Sequence, residues 1–135
     1  MLALLLLLAG ALALPSRPNL VVVIIDDYGH NNIGYHARSQ PNAAEIQTPT
    51  LDALANEGII LDRHYAFKFC SPSRSALHTG RNPIHVNVLN SDLAAVNLAD
   101  PISGFAGIPR NMSTFPQKLR DAGYSTVMAG KWHCE

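Results

Sequence analysis

The chain has 135 residues, 47% of them hydrophobic and only 15% charged, so it is neither a disordered segment nor a coiled coil, and it has room for one domain. Ten lysines and arginines balance ten aspartates and glutamates, which excludes the basic footprint of a nucleic-acid or anionic-membrane binder. Two cysteines, Cys70 and Cys134, are too few for a disulfide framework, although a single bridge between them is one reading for a secretory protein.

Residues 1–14 are Leu and Ala with one Gly after the initial Met, and they break off at Pro15-Ser16-Arg17-Pro18. That run falls short of the about 20 residues a bilayer span needs, so no stable membrane span is expected. It reads as the apolar region of a signal peptide, with Ala11-Leu12-Ala13 as the cleavage site; a buried helix is the alternative. Residues 19–25 then form an unbroken, mostly β-branched run, the pattern of a strand buried on both faces of a parallel sheet. It stops at Asp26-Asp27-Tyr28-Gly29, and a polar stretch over 30–47 reads as loop.

Residues 48–58 carry the punctuation of a helix, with Thr48 as cap, Pro49 at the first helical position and Gly58 at the end. A second strand is expected over 59–65 and a second helix over 71–79, started by Ser71-Pro72 and closed by Gly80. Residues 82–110 are irregular. Ser113 is placed to cap a third helix running through Ala122, Gly123 stops it, and residues 124–129 form a third strand before Gly130-Lys131-Trp132-His133. Alternating strands and helices predict an α/β fold, a mostly parallel sheet flanked by helices. Ligands of such sheets bind beyond the carboxyl ends of the strands, where Asp26, Asp27, Lys131 and His133 collect.

Adjacent carboxylates repel unless a cation lies between them or both face water, so Asp26-Asp27 is either a hard-cation site or a solvated turn. Asn111-Met112-Ser113 is an N-glycosylation sequon, placing Asn111 as an acceptor in a secreted chain. His30, His36, His64 and His85 show no metal-ligand spacing and read as structural; His78 and Trp132 read as packing residues.

Cys70-Ser71-Pro72-Ser73-Arg74, followed by Ser75-Ala76-Leu77-His78-Thr79-Gly80-Arg81, strongly resembles the signature of the sulfatase family. Residues 19–34, residues 48–55 and the segments Leu119-Arg120-Asp121-Ala122-Gly123-Tyr124-Ser125-Thr126 and Gly130-Lys131-Trp132-His133 resemble further motifs of that family in the same order. Asp26-Asp27-Tyr28-Gly29 and Ile33-Gly34-Tyr35-His36 lean toward its arylsulfatase B-like branch, which implies sulfated carbohydrates as substrates.

The resemblance implies an alkaline-phosphatase-like fold and a sulfuric ester hydrolase. In the family, the cysteine corresponding to Cys70 is converted in the secretory pathway to formylglycine by the formylglycine-generating enzyme, which reads the positions of Pro72 and Arg74. The aldehyde hydrate then has one hydroxyl to attack sulfur and another to expel sulfate. The resemblance makes Asp26, Asp27 and modified Cys70 ligands of Ca²⁺, in preference to Mg²⁺. It makes Arg74 the support of hydrate and carboxylates, Lys131 a sulfate contact, and His133 the partner that takes the hydrate's proton.

The pattern departs at Asn32, where many members carry Asp, and at Cys134-Glu135, where Leu-Gly is usual. Members are several times longer and draw a further Asp-Asn or Asp-Gln pair, a histidine and a lysine from downstream. Residues 19–135 are therefore expected to be an incomplete, N-terminal part of the catalytic domain, inactive alone, of a lysosomal or extracellular enzyme. The other readings are a truncated non-catalytic fragment, and a phosphonate or phosphodiester hydrolase of the same superfamily.

Overall fold

The computed structural model describes residues 17–88, 97–102, 104 and 107–134. The expected signal peptide and part of the irregular 82–110 stretch lie outside the described residues. Among those described, the chain forms α1 (Gly34–Ala37), α2 (Pro49–Glu57), α3 (Cys70–Thr79) and α4 (Phe115–Asp121). Single 3-10 turns occur at His30–Asn32, Ala43–Glu45 and Pro83–His85. No helix is long and apolar enough to cross a membrane.

The stretch expected to be loop, 30–47, thus contains α1 and two 3-10 turns. α1 is too short to persist alone, and a buckle to α2 holds it. The Gly34 N–H donates to Thr48 Oγ1 (2.8 Å), the Tyr35 N–H donates to Asp52 Oδ1 (3.0 Å), and Thr48 Oγ1 donates to that same carboxylate oxygen (2.9 Å). Two N–H groups that a helix start leaves unpaired are thereby satisfied from the first turn of another helix. Thr48 does precede α2, but its hydroxyl serves α1 and makes no cap bond to its own helix. Gly34 has to be glycine, because a Cβ there would collide with the Asp52 carboxylate.

α3 begins one residue earlier than expected. Phe69 is its extended N-cap and Cys70 its first residue. Pro72 falls in the first turn, where a missing N–H costs no helical hydrogen bond. Gly80 ends it in the left-handed conformation (φ 67°), its N–H donating to Ala76 O (2.8 Å). α4 starts from Thr114 instead of Ser113, because the first helical N–H bond, from Lys118, goes to the Thr114 carbonyl (3.1 Å).

The expected sheet is not formed among the described residues. The three apolar runs are present, yet none has a ladder partner, and a strand exists only through its ladder. The second is broken by a turn at 62–63, where the His64 N–H bonds Leu61 O. Val21, Ile59 and Val127 are 85%, 89% and 94% exposed, the opposite of strands covered on both faces.

The runs are nonetheless brought into order. Residues 19–22 face Phe115, Lys118 and Leu119 of α4 across a shallow hollow. Arg17 donates to Ala122 O and lies over the Tyr124 ring, so the first and third runs start side by side. The best-enclosed element is α3, where Ser71, Pro72, Arg74, Ser75 and His78 are buried. His78 stacks on Phe115 of α4 (5.3 Å between centroids) and tilts against Trp132 (4.5 Å), a packing role for both aromatic partners. Burial, and secondarily the nearby Arg74 charge, lowers the His78 pKa, so it sits in this stack as a neutral ring.

Candidate active site

The carboxyl ends of the first and third apolar runs meet at the start of α3. Arg74 lies one turn beyond Cys70 and so on the same helix face. Its buried guanidinium forks between two segments: one nitrogen donates to Asp26 Oδ1 (3.1 Å), the other to the Lys131 carbonyl (2.6 Å). The Lys131 ammonium reaches round to the other Asp26 oxygen (2.7 Å). Asp26 is thus gripped by a different cation at each oxygen.

These bonds favour the ionised form. The Asp26 pKa is lowered to about 2, first by the Lys131 hydrogen bond, then by Arg74, with a smaller share from Cys70. The same contact with Asp26 raises the Lys131 pKa. A carboxylate whose folded pKa is depressed contributes stability above its ordinary pKa, and that contribution is lost as pH falls toward about 2. In Lys131→Met the Asp26 carboxyl is expected to titrate closer to 3.8 while staying below it, because Arg74 remains. Following the Asp26 carboxyl carbon by NMR checks this; an unmoved midpoint would take Lys131 out of the leading position.

Asp27 adopts a left-handed backbone (φ 53°), which Asp tolerates better than most residues. Ligand atoms of Asp26, Asp27 and Cys70 all lie within 4.8 Å of one another. No disulfide joins Cys70 and Cys134; Cys134 is buried and its thiol donates to Trp132 O (3.4 Å). His133 also has a left-handed backbone (φ 54°), and its enclosed Nδ1 has no hydrogen-bond partner among the described residues.

The donor set fits a hard divalent cation. Two carboxylates sit beside one another, and each Asp26 oxygen keeps a second lone-pair direction after bonding its cation. The sequence-derived residues Asp26, Asp27, Cys70, Arg74 and Lys131 are therefore brought together, whereas His133 stands beyond the group of possible metal ligands. Sequence reading missed a second group, His30, His36 and Asp62, which carries no spacing signal because its members come from three different segments.

The sulfatase family model matches residues 18–135, so this chain belongs to the sulfatase family. It is 41% identical to arylsulfatase J of Mus musculus over 118 residues, covering 87% of this chain and 18% of that protein. It is 39% identical to N-acetylgalactosamine-6-sulfatase of Rattus norvegicus over 129 residues (95% and 23% of the two chains) and 39% identical to human steryl-sulfatase over 119 residues (87% and 19%). The chain spans about a fifth of the length of these curated relatives. No solved structure matches it significantly. Membership implies the family's α/β fold and a metal.

Proposed function

We propose that this chain supplies the nucleophile, the first metal carboxylates and a sulfate-contacting cation of a sulfuric ester hydrolase acting on sulfated carbohydrates. The observation that carries it is the convergence of Arg74 and Lys131 on Asp26, beside Asp27 and Cys70 at the head of α3, each from a family motif.

In this reading Cys70 is converted to formylglycine, whose hydrate supplies a nucleophilic oxygen and a second oxygen for releasing sulfate. Asp26, Asp27 and the oxygen of residue 70 would hold the metal, Ca²⁺ by the hardness of the donors, and it would supply Lewis-acid stabilisation of a bound hydroxyl and of charge on sulfate. Arg74 keeps Asp26 ionised and aimed. Its fork also fixes the Lys131 backbone, so the ammonium is presented where sulfate charge builds up. His133, with Nδ1 unengaged, is the residue to take a proton during release. Backbone N–H groups at the start of α3 and its dipole favour an anionic oxygen at position 70.

The same reading makes the runs 19–25, 59–65 and 124–129 strands of a mostly parallel, alkaline-phosphatase-like sheet. It places the protein in the secretory pathway, with lysosome or extracellular space as destination, residues 1–14 as its leader and exposed Asn111 as a glycan acceptor. The formylglycine-generating enzyme is then a partner during synthesis. Mass analysis of the peptide spanning Cys70, from protein secreted by a eukaryotic host, tests the assignment. The expected peptide has lost sulfur and two hydrogens and gained one oxygen. A persistent free thiol in a host whose modifying enzyme is active would refute it.

A further inference from the structure

We infer that His30, His36 and Asp62 form a second metal site, one that takes a borderline transition-metal ion such as Zn²⁺. It shares no residue with the Cys70 cluster and does not depend on the sulfatase reading. His30 opens the 3-10 turn His30–Asn32, His36 lies in α1, and Asp62 sits at the turn that interrupts the second apolar run. One donor atom from each falls within 4.8 Å of the others.

Hydrogen bonding of the rings makes this more than proximity. His36 Nδ1 lies 3.0 Å from the His30 carbonyl oxygen, which only accepts, so Nδ1 carries the proton. His30 Nδ1 lies 3.1 Å from Asn31 Oδ1, again an acceptor. In the neutral form of each ring Nε2 is then the lone-pair nitrogen. Both Nε2 atoms lie near the same Asp62 oxygen, at 3.2 Å from His36 and 3.7 Å from His30.

A nitrogen lone pair close to an anionic oxygen repels it, so the arrangement asks for positive charge there, which a proton on Nε2 or a metal ion shared by the three groups would supply. An imidazole whose Nδ1–H is held by a backbone carbonyl, leaving Nε2 for the metal, is the usual way a zinc histidine is oriented. The separations also fit: ligand atoms about 2.0–2.2 Å from a tetrahedral zinc lie about 3.3–3.5 Å from one another. Two imidazoles and one carboxylate select zinc or copper over the calcium suited to the oxygen donors of Asp26 and Asp27.

The two rings are stacked (3.8 Å, 9° between planes), so one must turn for both lone pairs to converge on one ion. His30 is the ring free to do so, with its side chain 62% exposed, whereas His36 is held between the His30 carbonyl and the edge of Tyr35. Three protein ligands and an exposed mouth leave a fourth position for water.

The test is calorimetric titration of Zn²⁺ into the whole chain carrying Cys70→Ser and Cys134→Ser, which removes competing thiols, in excess Ca²⁺. One equivalent bound in the micromolar range is expected. Asp62→Asn, on a side chain 66% exposed and so harmless to folding, should weaken binding tenfold or more, and so should His36→Ala. His64→Ala should leave it unchanged. Cu²⁺ in place of Zn²⁺ should give an electron paramagnetic resonance spectrum with two coupled nitrogens, falling to one in His30→Ala. Absence of saturable binding, or equal affinity in the Asp62→Asn and His36→Ala variants, would overturn the site.

Discussion

Cys70→Ser in the catalytically complete enzyme is expected to lower sulfate-ester turnover by at least about 10⁴-fold, measured with a chromogenic aryl sulfate. A serine hydroxyl at the head of α3 still meets Asp26, Asp27 and Lys131, so binding of substrate should survive. What is lost is the second oxygen on the same carbon. A serine that attacks sulfur becomes an ordinary sulfate ester, and no neighbouring hydroxyl remains to expel sulfate by elimination. The expected signature is at most one product released per enzyme molecule, followed by arrest, with a sulfated peptide spanning residue 70. Steady turnover by the serine variant would show that position 70 is not the nucleophile.

Arg74→Lys is expected to destabilise the fold by about 2–3 kcal/mol, read from the urea midpoint, despite conserving charge. The guanidinium satisfies Asp26 and the Lys131 carbonyl at once, from a side chain 8% exposed. A single ammonium at position 74 lacks the planar fork to reach both, so one acceptor at the site loses its partner. Arg74→Ala should cost at least as much. Against the 5–15 kcal/mol typical of a domain, this is a large fraction of total stability. The separate arm is chemical: if, as proposed, a modifying enzyme reads the segment that holds Arg74, the variant peptide should retain its thiol. An unchanged midpoint would mean that the fork is not a structural tie.

How much of this was legible from the residues alone differs by element. α2 and α3 were announced by Pro49, by Ser71-Pro72 and by the closing Gly80, because the groups that start and stop a helix are local. α1 was not, since its support comes from Thr48 and Asp52, 14 and 17 residues away from the N–H groups they accept from. The apolar runs were legible as runs. Their pairing was not, because a ladder depends on neighbours that a run does not specify, and none forms among the described residues.

The site shows the same division. Motif resemblance brought Asp26, Cys70, Arg74 and Lys131 under one heading, but the Arg74 bond to the Lys131 backbone has no side-chain signature. His30 and His36 could be compared with each other by spacing; their convergence on Asp62 could not, because it depends on how the second run turns at 62–63.

The grip on Asp26 also bears on the order in which the protein assembles. Its partners lie 48 and 105 residues along the chain, whereas the Thr48–Asp52 buckle closes a loop of 14 to 17. Chain-closure entropy is about 4 kcal/mol for the longest of these loops and about 2.5 kcal/mol for the buckle. During synthesis the α1–α2 hairpin is therefore poised to form while residue 131 is still inside the ribosome, and the Asp26–Lys131 contact comes late, as non-local contacts do. Cys70 spends that interval on a segment that lacks the Lys131 side of the clamp, and if Cys70 is converted as proposed, the rate of translation sets the time the modifying enzyme has.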